Sequence, residues 1–121
     1  MEYYSEVAIC MAFENEEKRD AFWELLRKDG MSDVIKYSDK DYDAPWIRYH
    51  NDHIKWCESN PDRQVFEGED GIFNLVIKNG GAWQFMRLGQ DPCDFEGKAV
   101  GNTDVAPDAF RLVREIEWNI S

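Results

Sequence analysis

Two histidines and a cysteine are the residues of this chain whose spacing could support metal chemistry. His50, His53 and Cys57 are separated by three and four positions, so in a helix they would share one face and offer three zinc ligands. In a hairpin this geometry is lost, and no fourth ligand can be identified in the sequence. We therefore predict that the protein binds no metal and no other cofactor.

The same two histidines are the candidates for general acid–base catalysis. Imidazole titrates near neutral pH, and the carboxylate of Asp52 could orient either ring. The sequence contains no phosphate-binding glycine loop, no nucleophile elbow and no paired-histidine zinc motif. A small enzyme or ligand-binding domain that uses His50 and His53 is therefore an alternative hypothesis, and a protein without enzymatic activity is favoured.

Acidic residues dominate the charge of the chain. Twenty-five Asp and Glu against fourteen Lys and Arg give a formal net charge of −11. Such a field repels phosphate backbones and anionic membranes and attracts basic protein surfaces. The acids fall in short clusters, mostly in predicted loops or at helix ends. The acids predicted to contact a partner are Asp39, Asp41, Asp43, Glu67, Glu69, Asp70, Asp91, Asp94 and Glu96.

Carboxylates on a rigid scaffold can imitate the charge of a nucleic-acid backbone. The first hypothesis is therefore an inhibitor that occupies the basic nucleic-acid-binding cleft of a partner protein and binds no nucleic acid itself. Phage counter-defence proteins, such as anti-CRISPR or anti-restriction factors, and immunity proteins against nuclease toxins have this character. A further alternative is a subunit that docks through exposed aromatic residues such as Trp46 or Trp83.

Chain length and cysteine usage indicate the setting of the protein. A chain of 121 residues fits a single domain, residues 1–121. Three widely spaced cysteines without a C-x-x-C pair are not typical of a disulfide scaffold. Neither a signal peptide nor a run of about 20 apolar residues is present. We expect a cytoplasmic protein that does not bind membranes.

The chain is predicted to open with a strand followed by a helix. Large apolar side chains alternate with small ones over residues 7–13, which is typical of an inner strand. Asn15 can cap the helix, acidic residues occupy its first turn, basic residues occupy its last turn, and Gly30 supplies a left-handed stop.

Two hairpins are predicted in the middle of the chain. A turn at Asn51-Asp52 would fold residues 46–57 on themselves, and a glycine-containing loop would join strands 72–78 and 82–88. The rival for the first arm of the second hairpin is a helix from Asp70 to Asn79, which would give the βαββαβ order of a ferredoxin-like fold. The β-branched and aromatic content slightly favours the strand. The first hairpin would carry on its solvent face a basic stripe of Arg48, His50, His53 and Lys55.

The remaining segments complete an α+β prediction. Residues 34–37 are predicted as a short strand, the residues after Asn60 as a short turn, and residues 90–107 as a long surface loop. Residues 110–120 are predicted as a closing strand. The expected fold is a mainly antiparallel sheet of five or six strands packed against one N-terminal helix.

Overall fold

The computed structural model describes residues 4–41, 44–56, 61–90 and 93–101. The elements in chain order are β1 (Ser5–Ala12), α1 (Glu16–Lys28), α2 (Ser32–Lys36), β2 (Ser38–Lys40), β3 (Trp46–Ile54), α3 (Pro61–Glu67), α4 (Ile72–Lys78), β4 (Ala82–Leu88) and β5 (Phe95–Gly101).

The five strands form one antiparallel sheet in the order β2-β3-β1-β4-β5. The order and directions of β1 to β4, with helices between β1 and β2 and between β3 and β4, are those of the ferredoxin-like βαββαβ arrangement. Strand β5 extends this sheet beside β4. The predicted α+β class and antiparallel sheet are confirmed, and three shorter helices join the predicted helix α1.

Helix α1 begins and ends where its local sequence predicts. The side-chain oxygen of Asn15 accepts a hydrogen bond from the backbone N–H of Lys18 at 2.9 Å, which satisfies one of the free donors of the first turn. Beyond the last turn, Gly30 has a φ of 73°, a left-handed conformation that glycine adopts without steric cost. On the inner side, Phe22 and Leu26 are buried against the sheet.

The main core lies between the sheet and the helices. Val7, Ile9 and Met11 of β1 are completely buried on the helix-facing side of the sheet, and burial of such apolar surface is the principal stabilising term of a domain. The opposite face of β1 carries its small side chains, Ala8, Cys10 and Ala12, which belong to two separate buried clusters.

The predicted hairpin at Asn51-Asp52 is wrong, because β3 is one continuous strand paired with β1. Between Ile54 and Asn51 strand β3 advances three residues while β1 advances two. The extra residue is a β-bulge, which shifts the alternation of buried and exposed side chains by one position. Tyr49 and Ile54 are therefore both buried. A turn and a bulge give the same burial pattern in the sequence, and only the pairing with β1 distinguishes them.

Two segments predicted as strands are helices. Residues 34–36 belong to α2, and residues 72–78 form α4, so the helical alternative for the second segment is correct. β-Branched residues favour strands locally, but each segment places one apolar stripe on the sheet. Val34 of α2 is buried in the core, Val76 of α4 is completely buried, and Phe73 of α4 stacks on Trp83 with ring centroids 3.9 Å apart.

Two further predictions are corrected near the ends of the sheet. The residues after Asn60 form helix α3 and not only a turn, with Pro61 at the first position that suits its fixed φ. The predicted loop over 90–107 contains strand β5, an edge strand whose mostly exposed residues lack the apolar alternation that would reveal it. The predicted closing strand at 110–120 lies outside the described residues.

Candidate functional site

A cleft of about 780 Å³ opens between the α1–α2 turn and the α3–α4 turn. Its floor is apolar, since Val34, Tyr49, Ile54 and Phe66 are each at most 5% exposed. These side chains belong to the main core cluster, so the floor is part of the packed scaffold. A cleft with an apolar floor and polar groups at its edge is the usual form of a ligand-binding site.

Three aromatic rings line the cleft in a row. The rings of Tyr37 and Tyr49 meet edge to face with centroids 6.2 Å apart, and Tyr49 meets Phe66 in the same way at 5.0 Å. The core holds Tyr49 and Phe66, whereas Tyr37 at the end of α2 is 41% exposed. The Lys36 ammonium lies 5.6 Å from the centroid of the Tyr37 ring. The exposed ring thus offers the cleft an aromatic surface of the kind that attracts cations.

Carboxylates stand on both sides of the cleft. Asp29 caps the end of α1 and Asp33 lies in the first turn of α2, while Asp70 lies in the α3–α4 turn on the opposite side. All three are exposed, and no ion pair joins them to another described residue. Lys55 also lines the cleft, with its ammonium 5.7 Å from the centroid of the Tyr4 ring. Three carboxylates against one lysine give the lining of the cleft a negative formal charge.

Two glycines shape the turns that carry these carboxylates. The left-handed φ of Gly30, 73°, reverses the chain between Asp29 and Asp33. A Cβ atom on Gly71 would lie 2.6 Å from the carbonyl oxygen of Phe66, a distance that only glycine avoids without movement of the backbone. The turn on each side of the cleft therefore depends on a glycine, Gly30 for its positive φ and Gly71 for its close approach to Phe66.

Two of the acids predicted to contact a partner are neutralised by arginines on the same surface. Glu67 accepts a hydrogen bond from Nε of Arg63 at 2.6 Å, one helical turn away. The carboxylate of Asp41 lies 3.1 Å from the guanidinium of Arg48. The Arg48 side chain of the predicted basic stripe is thus half of an ion pair and adds little positive potential to the surface.

Two more predicted acids form a cluster around Arg87 of β4. The guanidinium donates to Asp94 and to Glu96 at 2.7 Å each, and to the hydroxyl of Ser5 at 3.1 Å. Hydrogen bonds to Asp94 and then to Glu96 raise the pKa of Arg87 against the opposing effect of its partial burial. The cluster ties β5 and β1 to β4, which gives these acids a role in the scaffold.

The other predicted acids differ in position and in pairing. Asp39 on β2, and Glu69 and Asp70 in the α3–α4 turn, are exposed and form no ion pair within the described part of the chain. Asp43 and Asp91 lie outside the described residues. Of the seven predicted acids that the structure describes, Asp70 alone lines the cleft.

Asp29 and Asp33 are not among the acids predicted from the sequence. Their signal is their position on either side of Gly30, where a left-handed residue reverses the chain after α1. The strand predicted over 34–37 would have carried Asp33 away from this turn. Helix α2 instead keeps both carboxylates beside the same cleft.

His50 and His53 do not form a common site. Nε2 of His50 lies 2.6 Å from a carboxylate oxygen of Glu6, so Glu6, and not Asp52, is the carboxylate that orients an imidazole here. The ring of His53 stacks on Tyr4 with centroids 3.7 Å apart and lines the edge of the cleft. The two imidazole rings have separate partners and share no position at which a substrate could contact both. The enzymatic alternative remains a prediction.

The aromatic residues named for the docking hypothesis are buried, contrary to the prediction. Trp46 is 7% exposed and packs with Cys10 and Ala12, and Trp83 is 9% exposed and stacks on Phe73. Neither indole can anchor a partner at the surface. Within residues 4–41, 44–56, 61–90 and 93–101, the exposed large hydrophobic side chains are instead those of Tyr37, Ile77, Phe95 and Val100.

Among the described residues no three or more His, Cys, Asp or Glu side chains are grouped to hold a metal ion, and Cys57 lies outside them. In that part of the chain no helix has the length and apolarity to cross a bilayer. No protein-family model matches this chain, and neither does any curated protein or solved structure.

Proposed function

We propose that this protein is a cytoplasmic inhibitor that binds and blocks the basic nucleic-acid-binding cleft of a partner protein. The observation that supports the proposal is a set of exposed carboxylates on the helices and their turns that no described cation neutralises. This set, the acidic helical surface, comprises Glu16, Glu17, Asp29, Asp33, Glu69 and Asp70.

The division between paired and unpaired acids suggests which side of the molecule meets the partner. A carboxylate already paired with an arginine, such as Asp94 or Glu96, has part of its field cancelled. Exposed ion pairs contribute only about 0–1 kcal/mol to stability, so leaving an acid unpaired costs the fold little. The acidic helical surface retains its charge for a partner, whereas Asp94 and Glu96 hold Arg87 within the sheet.

The sign of the charge defines the kind of partner. A net charge of −11 repels nucleic acid and steers the protein toward positively charged surfaces. The most strongly basic concave surfaces of soluble proteins are those that hold phosphate backbones. Nucleases and nucleic-acid-guided defence complexes carry such clefts, so the proposed class is a phage counter-defence protein or a nuclease-immunity protein.

The test is capture of a partner from a lysate of the source cells or their host, with elution by increasing salt. We expect a nucleic-acid-handling protein to be captured and to be released when duplex DNA or RNA is added as a competitor. The variant D33N/E69Q/D70N removes three carboxylates of the acidic helical surface. It should release the partner at a lower salt concentration than the wild type, because less charge attraction remains to be screened.

A matched control separates specific contact from net charge. The variant E14Q/D20N/E24Q removes the same charge from acids that already pair with Lys18, Arg19 and Arg27, and it should retain the partner. Equal weakening by both variants, or a captured protein that nucleic acid does not displace, would contradict the proposal.

A further inference from the structure

We infer that the cleft between the α1–α2 turn and the α3–α4 turn receives an arginine side chain of the partner. The inference rests on the proposed function, because it identifies the group through which the basic partner is held. Three features meet there: a buried apolar floor, the exposed ring of Tyr37, and carboxylates on both sides.

The chemistry of the guanidinium group matches this combination. Its flat face stacks on aromatic rings and is weakly hydrated, and its edge donates several hydrogen bonds in one plane. Tyr37 is 41% exposed, and the exposed Lys36 ammonium already lies 5.6 Å from its ring centroid, the position that a guanidinium would take. Asp33 and Asp70 offer acceptors on opposite sides of the cleft. A lysine ammonium would gain the charge attraction but not the planar stacking and paired hydrogen bonds.

The charges around the cleft argue against other occupants. Asp29, Asp33 and Asp70 would repel a phosphate or carboxylate ligand, and the ammonium of Lys55 lies over Tyr4. A purely apolar side chain would contact the floor but would offer the carboxylates at the edge no hydrogen-bond donor. A cationic side chain with an apolar stem can pack its stem on the apolar floor and bring its charge to the carboxylates at the edge of the cleft.

The size of the cleft indicates that the arginine enters as part of a segment. About 780 Å³ is within the range of about 300–1,000 Å³ found for small-molecule sites and exceeds one side chain. Residues flanking the arginine can therefore lie between the two turns. An arginine on a surface loop that normally grips a phosphate backbone has this form.

The test uses a short peptide with a single central arginine, an otherwise identical peptide with citrulline, and one with lysine. Citrulline keeps the planar shape of the side chain and removes the charge. Binding is followed by titration of backbone amide NMR signals of the full chain. We expect the arginine peptide to shift amides near Gly30 and Gly71 and to bind about tenfold more tightly than the citrulline peptide, the ratio for one charge-assisted hydrogen bond. The lysine peptide should fall between them.

Two charge-matched variants locate the site. D29N/D33N removes two carboxylates of the cleft and should weaken arginine-peptide binding about tenfold. E14Q/E24Q removes two exposed acids that lie outside the cleft and already pair with Lys18 and Arg27, and it should leave affinity within twofold. Equal affinity for arginine and citrulline peptides, or equal loss in both variants, would overturn the inference.

Failure of the inference is distinguishable from failure of the proposed function. If a nucleic-acid-competed partner is captured but the arginine peptide does not bind, the cleft assignment is wrong and the inhibitor proposal stands. If the peptide binds in the cleft but no such partner is captured, the inhibitor proposal is wrong.

Discussion

Replacement of Arg87 by methionine tests whether Asp94 and Glu96 serve the scaffold rather than a partner. The guanidinium binds both carboxylates and the hydroxyl of Ser5, and so links three neighbouring strands of the sheet. Methionine keeps much of the aliphatic bulk and removes every charge-assisted hydrogen bond. We expect the R87M variant to fold and to be less stable.

The size of the loss follows from the exposure of the groups involved. The Arg87 side chain is 13% exposed, and those of Asp94 and Glu96 are 34% and 38% exposed. A hydrogen bond to a charged group contributes about 1.5–3 kcal/mol when it is buried, and an exposed ion pair about 0–1 kcal/mol. Because the partners are about one-third exposed, we expect R87M to lower the free energy of unfolding by about 2 kcal/mol.

Urea denaturation followed by circular dichroism provides the measurement. With an m-value of about 2 kcal/mol per molar urea, typical of a small domain, the midpoint should fall by about 1 M. Lys98 on β5 is the matched control, since it is exposed and forms no ion pair within the described part of the chain. K98M should change stability by no more than about 0.5 kcal/mol.

A double-mutant cycle identifies the interaction responsible. D94N/E96Q should destabilise the wild type, and its effect should be much smaller in the R87M background because the guanidinium is then absent. If R87M and K98M are equally stable, or if the effects of R87M and D94N/E96Q are additive, the Arg87 cluster does not stabilise the sheet and the reasoning fails.

Three other changes test single features of the fold. N15A should lower the free energy of unfolding by about 1 kcal/mol through loss of the α1 cap, whereas N15D keeps a capping oxygen and should be as stable as the wild type. Urea denaturation measures both variants, and equal stability of N15A and the wild type would show that the cap contributes nothing. G71A should cost about 1–3 kcal/mol, because its new methyl group meets the Phe66 carbonyl oxygen, and a variant of wild-type stability in thermal denaturation would contradict this close approach. Burial raises the pKa of the Cys10 thiol to about 12, so native protein and C10S should titrate equal numbers of thiols with DTNB at pH 8, and denatured wild type should titrate one more than denatured C10S. Since only the unfolded thiol ionises readily, Cys10 should also make stability fall as the pH rises from about 9 toward 12, and C10S should show less of this fall in denaturation at alkaline pH.

Elements whose signals lie within a few consecutive residues were predictable from the sequence. The capping side chain of Asn15 and the left-handed Gly30 define α1 through local hydrogen bonds and dihedral angles. The alternation over residues 7–13 defines β1 for the same reason. Predictions failed where β-branched residues suggested strands at 34–37 and 72–78, since packing of Val34 and Val76 into the core outweighs local preference.

The candidate site was predictable only in its charge. The sequence shows the acidic character of residues 67–70 and the helix stop at Gly30. These two features are about forty positions apart, so the sequence does not show that they lie close together in space. The sheet order brings α2 and α3 to the same end of β3, and this places Asp33 and Asp70 beside one cleft. The bulge in β3 keeps both Tyr49 and Ile54 on the floor of the cleft, and this bulge is likewise fixed by the pairing of β3 with β1.

The sequence by itself therefore determined the charge of this protein, its opening strand and helix, and its α+β class. Only the tertiary structure decided which acids form ion pairs, as Asp94 and Glu96 do with Arg87. It also decided which acids line the cleft without such a pair. The physical reason is that caps and periodicity act over a few residues, whereas ion pairing and cleft formation depend on strand register and packing between distant segments.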